Sequence, residues 1–406
     1  MSTSSIVNGH ILLPGSDQPQ KAVLEIERDH IGAIHQAEPA GEIIDAHRLI
    51  VAPGIIDLGV FATDKPAFRF GGITRGALMP DQSPVHDDPA TIRYAARKGK
   101  PEMWVHPLAA ATKGLNGKEM AEIALMRDAG AVGVATGRRW IANSGVMLRL
   151  MRYCAALDMP LIVHCEDDGL VSGAVATAGE TATRLGLPSA PACAEELAIA
   201  RDLILAEESG ARIHFRSVTT RAGFDRIRVA KRAGLAITCG ITPAHLFLND
   251  GAIGEFRTFS HLSPPLREED DRLACIEAVA DGTVDVIASG HDPRGPEEKR
   301  LPYSDSAPGM AGAETLLALS LNLVRDGRIS IGRLFELLSS NPARILGLNA
   351  GQLAPGREAD LICIDTETPW QVDSDRMAAA AGNTPFDRLP VQGRVRLYMK
   401  GGRIID

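Results

Sequence analysis

Histidine and carboxylate side chains stand directly after several short apolar runs of this sequence. His164 and Glu166 follow the run Leu161–Val163, and His291 and Asp292 follow a run of similar character. Neutral imidazoles and carboxylates bind zinc, and a carboxylate can take a proton from an attacking water. If the runs are parallel strands of a barrel, the residues after them surround one site. The sequence therefore places any hydrolytic chemistry at these strand ends.

Short apolar runs alternate with amphipathic segments between about residues 53 and 345. Each run is short and apolar enough for a buried parallel strand, and the segments between them have helical periodicity. The runs are Val132–Ala135, Leu161–Val163, Arg212–Phe215, Ala236–Thr238 and Val284–Ala288, and the clearest helices are Met120–Ala129 and Glu195–Glu208. This alternation predicts an α/β fold with a (β/α)₈ barrel over residues 53–345. A doubly wound sheet is the alternative, but no G-x-G-x-x-G opens its first helix.

The two ends of the chain have a different pattern, with short alternating strands and turn residues. The strands are Val23–Ile26, Leu49–Val51, Ala359–Ile364 and Val395–Ile405, the last broken by Gly401 and Gly402. These patterns predict a small composite β-domain built from residues 1–52 and 346–406. The stretch Asp292–Gly312 is rich in glycine and proline and predicts a long loop, of the kind that often covers a site.

Charge and composition narrow the classes of partner. The formal net charge is −8 and the pI is about 5.8, so nucleic acid and anionic membrane surfaces are not expected partners. The first 15 residues lack a secretory pattern, and no apolar run approaches the roughly 18 residues of a membrane span. We expect a cytoplasmic protein with reduced core cysteines, since the six have no C-x-x-C spacing: Cys154, Cys165, Cys193, Cys239, Cys275 and Cys363.

A series of motifs makes a family resemblance specific. In chain order they are APGIIDL, GGIT, HPLAAATKGLNGKEMAEI, LIVHCED, ITPAHLFL, SPPLREEDD, DGTVDVIASGHDP, PGMAGAET and NTPF. Together they resemble the dihydroorotase family of the amidohydrolase superfamily over nearly the whole chain, although Pro-Gly-x-x-Asp alone also occurs in hydantoinases and allantoinases. The resemblance implies a (β/α)₈ barrel with a β-domain from both termini.

The resemblance also implies zinc ligands and substrate-binding residues, and this chain departs from that pattern. A His-x-His pair is expected after the first barrel strand, where Gly59 and Phe61 stand. The expected substrate-binding arginine and asparagine positions match Thr63 and Asp81. A guanidinium and an amide that would bind an anionic substrate are therefore replaced.

The remaining expected zinc positions are altered at three further strand ends. The bridging aspartate or carboxylated lysine position holds Thr136, a histidine position holds Arg216, and the catalytic aspartate position holds Gly290. Only His164 matches an expected ligand. Because arginine stays protonated and a zinc site needs at least three protein ligands, we predict no catalytic residue, no metal site and no cofactor.

Several histidines allow alternative interpretations. His164, His214 and His245 are expected to make structural hydrogen bonds, His245 close to the substrate position. A new acid/base pair of His291 and Asp292 is disfavoured, because neighbouring strand residues face opposite ways. A new metal site could combine His164, His261, His291, Asp81 and Asp292, but Arg216 and Arg294 would repel a cation; these arginines could instead line an anion-binding cavity.

We therefore favour a non-catalytic dihydroorotase-like protein of pyrimidine biosynthesis. The resemblance extends to inactive homologues that act as structural partners of aspartate carbamoyltransferase, and a homo-oligomer is expected. The alternative is an active dihydroorotase or related cyclic amidohydrolase with a rearranged site, which would need zinc.

Overall fold

The computed structural model describes residues 3–405, which form an eight-stranded parallel β/α barrel together with a four-stranded, a six-stranded and a two-stranded sheet. The strands are β1 (Thr3–Val7), β2 (His10–Ile11), β3 (Gln20–Lys21), β4 (Val23–Glu27), β5 (His30–His35), β6 (Glu42–Asp45), β7 (Ile50–Pro53), β8 (Ile55–Val60), β9 (Ile73–Leu78), β10 (Trp104–Ala110), β11 (Gly133–Ala135), β12 (Leu161–His164), β13 (Ala176–Thr177), β14 (Ser189–Ala190), β15 (Ile213–Arg216), β16 (Ile237–Ile241), β17 (Val286–Ile287), β18 (Leu361–Gln371), β19 (Pro390–Lys400) and β20 (Arg403–Ile404). The α-helices are α1 (Lys65–Gly71), α2 (Pro89–Ala95), α3 (Ile123–Asp128), α4 (Ser144–Ala156), α5 (Asp168–Val171), α6 (Glu180–Leu185), α7 (Cys193–Ser209), α8 (Arg221–Arg232), α9 (Pro243–Phe247), α10 (Glu269–Ala280), α11 (Pro296–Lys299), α12 (Leu316–Arg325), α13 (Ile331–Phe335) and α14 (Asn341–Ile345).

The barrel consists of eight parallel strands in the order β8, β9, β10, β11, β12, β15, β16 and β17. Its strands are apolar along their length because both faces are buried, one in the barrel and one under helices. The ring is nearly closed, since the amide of Phe61 donates to the carbonyl of His291 over 2.9 Å. The predicted (β/α)₈ fold class is confirmed.

Asp57, from the Pro-Gly-x-x-Asp motif, helps to join the first and last strands of the barrel. Its Oδ1 accepts a hydrogen bond from the Ser289 amide over 3.0 Å, which links β8 to the segment after β17. Asp57 is fully buried, and burial raises the pKa of its carboxyl despite the bond to Ser289. In this chain the motif aspartate therefore joins the first and last strands of the barrel.

Strands from both ends of the chain form the composite β-domain. One sheet has the order β5, β4, β1, β6, and a second has the order β20, β19, β18, β7, β2, β3, which mixes strands from the two termini. Ile11 and Val51 pack with Leu361 and Met399 in a core of their own. The composite architecture is confirmed, while the bounds 1–52 and 346–406 stay a prediction whose outermost residues (1, 2 and 406) lie outside the described chain.

Two sequence-based expectations need correction. The segment 292–312 is not a plain loop, because it contains α11 and a 3₁₀ turn (Tyr303–Asp305), and the Asp292 amide donates to the Met310 carbonyl over 2.7 Å. The prediction of six core cysteines is wrong for Cys193, which is exposed at the start of α7, while the other five are buried and all six are free. Within residues 3–405, no helix is long and apolar enough to cross a membrane.

Candidate functional site at the barrel mouth

A cavity of about 200 Å³ lies at the C-terminal ends of the barrel strands. Its walls come from the segments that follow β8, β11, β15, β16 and β17, where barrel enzymes carry their active sites. The lining residues are Phe61, Arg138, Arg139, Arg216, Ser217, Thr242, His245, Leu262, Ser263, Gly290, Asp292, Pro308, Gly309 and Met310. Three of these are arginines and one is a carboxylate, so the lining is basic.

Arg216 is the most deeply buried arginine of this lining. It ends β15, pairs in register with His164 of β12, and is only 7% exposed. Its Nη2 lies 3.4 Å from His164 Nδ1, and its buried Nε has no hydrogen-bond partner. No carboxylate of residues 3–405 lies within ion-pairing distance of its guanidinium. Burial lowers the pKa of Arg216, while the charges of Asp81 and Asp292 act in the opposite direction.

His164, the one matching ligand position, has both ring nitrogens engaged. Because a guanidinium only donates, Nδ1 accepts from Arg216, and Nε2 then carries the proton that faces Glu166 Oε2 at 3.4 Å. Burial by itself would raise the pKa of Glu166, but Arg267, at 2.7 Å, and His164 outweigh it and lower the pKa to about 2. His164 therefore has no free lone pair for a metal.

Gly59 and Phe61 supply no donor atoms in place of the expected pair of imidazoles, and the space over Gly59 is tight. Gly59 has φ +103°, and a Cβ placed on it would lie 3.3 Å from Arg216 Cδ. The Phe61 ring packs against two guanidiniums, with Arg138 Cζ 3.8 Å and Arg216 Cζ 5.1 Å from its centroid. An aromatic ring and an arginine side chain thus fill the space above the first strand.

Thr136 and Gly290 have structural roles in the backbone at the ends of the barrel strands. Thr136 Oγ1 accepts a hydrogen bond from the His164 amide over 3.0 Å and so ties β11 to β12. Gly290 has φ +61°, and a Cβ there would lie 3.0 Å from Met310 Cε and 3.1 Å from a Thr242 methyl carbon. A catalytic aspartate at this position would require both neighbours to move.

The two predicted substrate-binding positions do not line the cavity. Thr63 Oγ1 is buried without a hydrogen-bond partner. Asp81 Oδ1 accepts from the Arg138 amide over 3.0 Å, and its Oδ2 is buried and unpaired. Asp81 therefore shapes the turn after β11, on which Arg138 stands.

Arg138 is a site residue that sequence reasoning missed. Its guanidinium forms a two-point ion pair with Asp292, with Nη2 at 2.9 Å from Oδ1 and Nη1 on Oδ2. The available signal was its position, two residues after Thr136 at a strand end, in the run Gly137-Arg138-Arg139.

The alternative of an anion-binding cavity lined by both Arg216 and Arg294 is wrong for Arg294, which lies outside the lining. Its Nη2 donates to Asp292 Oδ2 over 3.1 Å and its Nε donates to the Pro308 carbonyl over 3.1 Å. Asp292 is therefore held between Arg138 on the cavity side and Arg294 behind it.

His291 and Asp292 point to different surroundings. His291 is fully buried, accepts from the Ala313 amide through Nδ1 at 3.3 Å, and directs Nε2 towards Asp64 at 3.5 Å. Asp292 instead faces Arg138. The two residues do not form an acid/base pair.

The other three histidines considered from the sequence, His214, His245 and His261, make structural hydrogen bonds. His214 Nδ1 lies 3.0 Å from Thr238 Oγ1, and His261 Nδ1 lies 2.9 Å from Ser306 Oγ. His245 lines the cavity, but its Nε2 donates to the Pro264 carbonyl over 3.0 Å and its Nδ1 accepts from Thr242 over 2.8 Å. Burial lowers the pKa to about 3 for His214 and about 4 for His245 and His261, so all three are neutral near pH 7.

The residues present at the mouth do not fit a zinc centre. Among residues 3–405, no group of three or more His, Cys, Asp or Glu side chains is arranged to hold a metal ion. The position of an expected histidine holds a protonated guanidinium, which repels cations, and His164 is already hydrogen-bonded on both sides. The arrangement is instead suited to an anion.

Known proteins of similar sequence show to which family this chain belongs. The sequence profile of the amidohydrolase family matches residues 85–405. The chain belongs to the amidohydrolase family. It is similar to dihydroorotases of Desulforapulum autotrophicum, at 36% identity over 98% of this chain and 97% of the relative, and of Syntrophotalea carbinolica, at 37% identity over 98% of each.

Solved structures give the same family fold. The L-hydantoinase (dihydropyrimidinase) from Arthrobacter aurescens superposes with a TM-score of 0.89 at 25% identity, over 100% of this chain and 96% of the other. The dihydropyrimidinase from Brevibacillus agri superposes with a TM-score of 0.85 at 19% identity, which shows the shared fold. This chain is thus a dihydroorotase-like amidohydrolase with an arginine-rich barrel mouth.

Proposed function

We propose that this amidohydrolase-family chain does not hydrolyse dihydroorotate and acts as a structural partner of aspartate carbamoyltransferase. The observation that carries the first half of the proposal is the position of Arg216. Its side chain fills the space over Gly59 and takes up the Nδ1 lone pair of His164. A buried guanidinium in that position opposes the binding of a divalent cation, and without the cation no metal-bound water is activated there.

Zinc content and dihydroorotate turnover of the purified chain test whether it is catalytically inactive. The purified full-length chain, prepared without chelators and supplied with zinc, is expected to hold well under 0.1 zinc per chain and to show no turnover of dihydroorotate. The dihydroorotase of Desulforapulum autotrophicum, prepared in parallel, serves as the positive control. Stoichiometric zinc together with turnover would overturn the proposal.

The second half rests on the resemblance of the sequence to inactive dihydroorotase homologues. The barrel and the composite β-domain are both present, although the expected metal-binding and catalytic groups are absent at four strand ends. The outer surface of the fold is therefore available to a partner protein. The test is co-elution of the purified chain with the aspartate carbamoyltransferase of the same organism in size-exclusion chromatography. An Arg216→Gln variant should co-elute equally well, because Arg216 is buried at the mouth. Separate elution of the two native proteins at micromolar concentration contradicts the scaffold role.

Cyclic-amide hydrolysis is the second candidate function. It is favoured by the full-length similarity to proteins named dihydroorotase and by the likeness to an L-hydantoinase. Assays of the native chain with dihydroorotate, hydantoin and dihydrouracil distinguish the candidates, and turnover of any of these that is lost in a Arg216→Gln or Asp292→Asn variant would favour this one.

A further inference from the structure

We propose that the cavity at the barrel mouth binds a small oxyanion, a carboxylate or a phosphate, with Arg216 as its principal partner. This inference goes beyond the structural role proposed above, since it concerns the interior of the barrel and not a protein interface. The two proposals can therefore fail separately.

The first argument is charge. Arg216 is 7% exposed, lines the cavity, and has no carboxylate of residues 3–405 as an ion-pair partner. Removing a charge from water without pairing it costs free energy, so buried guanidiniums are normally paired. An anion that enters the cavity would supply the missing partner.

The second argument is that the neighbouring carboxylate is already neutralised. Asp292 lines the cavity, but both of its oxygens accept from Arg138, and Oδ2 also accepts from Arg294. Arg139 contributes a further positive charge to the lining and is exposed towards solvent. Asp81, whose charge also acts on Arg216, lies 3.9 Å from Arg138 Nε. The three guanidiniums of the lining therefore outnumber the two nearby carboxylates, and a net positive charge attracts anions.

The third argument is chemistry and size. The single hydrogen bond of the Arg216 guanidinium to the described chain is the one from Nη2 to His164, so its remaining N–H donors are available for the planar two-point contact that arginine makes with carboxylate or phosphate. A cavity of about 200 Å³ is comparable with engineered cavities of about 150 Å³ that hold benzene. Phe61, Leu262 and Met310 give the cavity apolar walls beside the charge.

Isothermal titration calorimetry with matched probes tests the inference. The native full-length chain is titrated with benzoate, with uncharged benzamide of the same shape, and with inorganic phosphate, in a buffer of low ionic strength free of other oxyanions. We expect saturable one-to-one binding of benzoate or phosphate and at least tenfold weaker binding of benzamide. Benzoate binding alone identifies a carboxylate site, and phosphate binding alone identifies a tetrahedral oxyanion site.

Two variants of equal net charge assign the binding to Arg216. Arg216→Gln should weaken anion binding at least tenfold. Arg212→Gln removes the same charge at the opposite end of β15, where Arg212 pairs with Asp158 at 3.2 Å, and should leave binding within twofold of native. Arg216→Lys keeps the charge but loses the two-point contact, and we expect binding several-fold weaker than native.

The inference is wrong if benzamide binds as tightly as benzoate, if neither anion binds the native chain, or if Arg216→Gln binds the anion as tightly as native. The comparison of benzoate with benzamide uses the unmodified chain, so it decides the question even if an Arg216 variant fails to fold.

Discussion

Arg216 Cδ lies 3.3 Å from the point where a Cβ would stand on Gly59. The two residues come from β8 and β15, and each occupies a position where the family resemblance implies an imidazole. Because the arginine side chain lies over the glycine, the two changes depend on each other sterically. The effect of a histidine introduced at either position therefore depends on which residue occupies the other position.

The first prediction concerns this pair. Gly59→His should lower the free energy of unfolding by about 2–4 kcal/mol, since it adds strain at φ +103° and overlap with Arg216. Adding Arg216→Ala should recover about 1–2 kcal/mol of that loss by removing the overlap. Urea unfolding of the two single variants and the double variant measures the coupling.

Gly130→His is the matched control, because Gly130 has φ +111° with no neighbouring atom within 4 Å of an added Cβ. It should show the backbone strain alone, of about 1–2 kcal/mol, and no coupling to Arg216→Ala. Equal losses for Gly59→His and Gly130→His, with no recovery in the double variant, would contradict the steric dependence.

The second prediction concerns Asp292. Asp292→Ala leaves Arg138 and Arg294 without their shared carboxylate at a buried position, and we expect a loss of about 2–3 kcal/mol. Glu298→Gln, which removes the half-exposed partner of Arg294 at 2.9 Å, should cost less than about 1 kcal/mol. Thermal and urea unfolding of both variants checks the difference, and similar losses would argue against a buried role for Asp292.

Much of the fold follows from the sequence because buried parallel strands need continuous apolar runs. The run Leu161–Val163 is β12 with one added residue, and Glu195–Glu208 lies within α7. The run Val284–Ala288 is shortened to Val286–Ile287 as a strand. The Val284 amide donates to Ala278 of α10, although the amides of Asp285 and Ala288 still donate to β16. Run length therefore predicts that a strand exists better than it predicts where the strand ends.

The site was predictable only in part. The altered positions could be read from Gly59, Phe61 and Arg216, because strand ends are marked by sequence motifs. The role of Arg138 could not, since its pairing with Asp292 joins residues 154 positions apart through two loops. Loop conformation depends on long-range contacts that local residue patterns do not encode.

The third prediction concerns pH. The pKa of Glu166 is lowered to about 2 from an ordinary value of 4.5, so its ionisation stabilises the fold above pH 4.5 and this contribution is lost as the pH falls towards 2. Glu166→Gln should therefore cost up to about 3 kcal/mol at pH 7, and its difference from the native chain should shrink between pH 4.5 and pH 3.

Urea unfolding of both proteins from pH 7 to pH 3 tests this dependence. Glu208→Gln, at an exposed carboxylate that pairs with Arg152 at 2.7 Å, is the control and should cost less than about 0.5 kcal/mol at every pH. A Glu166→Gln difference that stays constant across the range would show that the carboxylate is not the source of the pH dependence.

The fourth prediction is that zinc binding can be restored only when Arg216 is replaced. Gly59→His with Phe61→His adds two imidazoles, but Arg216 still donates to His164 Nδ1 and keeps its positive charge beside them. Adding Arg216→His removes that charge, frees His164 and supplies a further ligand, so that four imidazoles face the mouth.

Zinc dissociation constants from chelator competition decide the matter. The triple variant is expected to bind zinc at least tenfold more tightly than the double variant, and the double variant should differ little from the native chain. Unfolding curves recorded in parallel show whether each variant is folded, because the first prediction expects Gly59→His to be destabilising by itself. Zinc binding by the double variant that equals that of the triple variant would mean that Arg216 does not control access of a cation to the barrel mouth, and the argument against a metal centre would then rest on the missing donors alone.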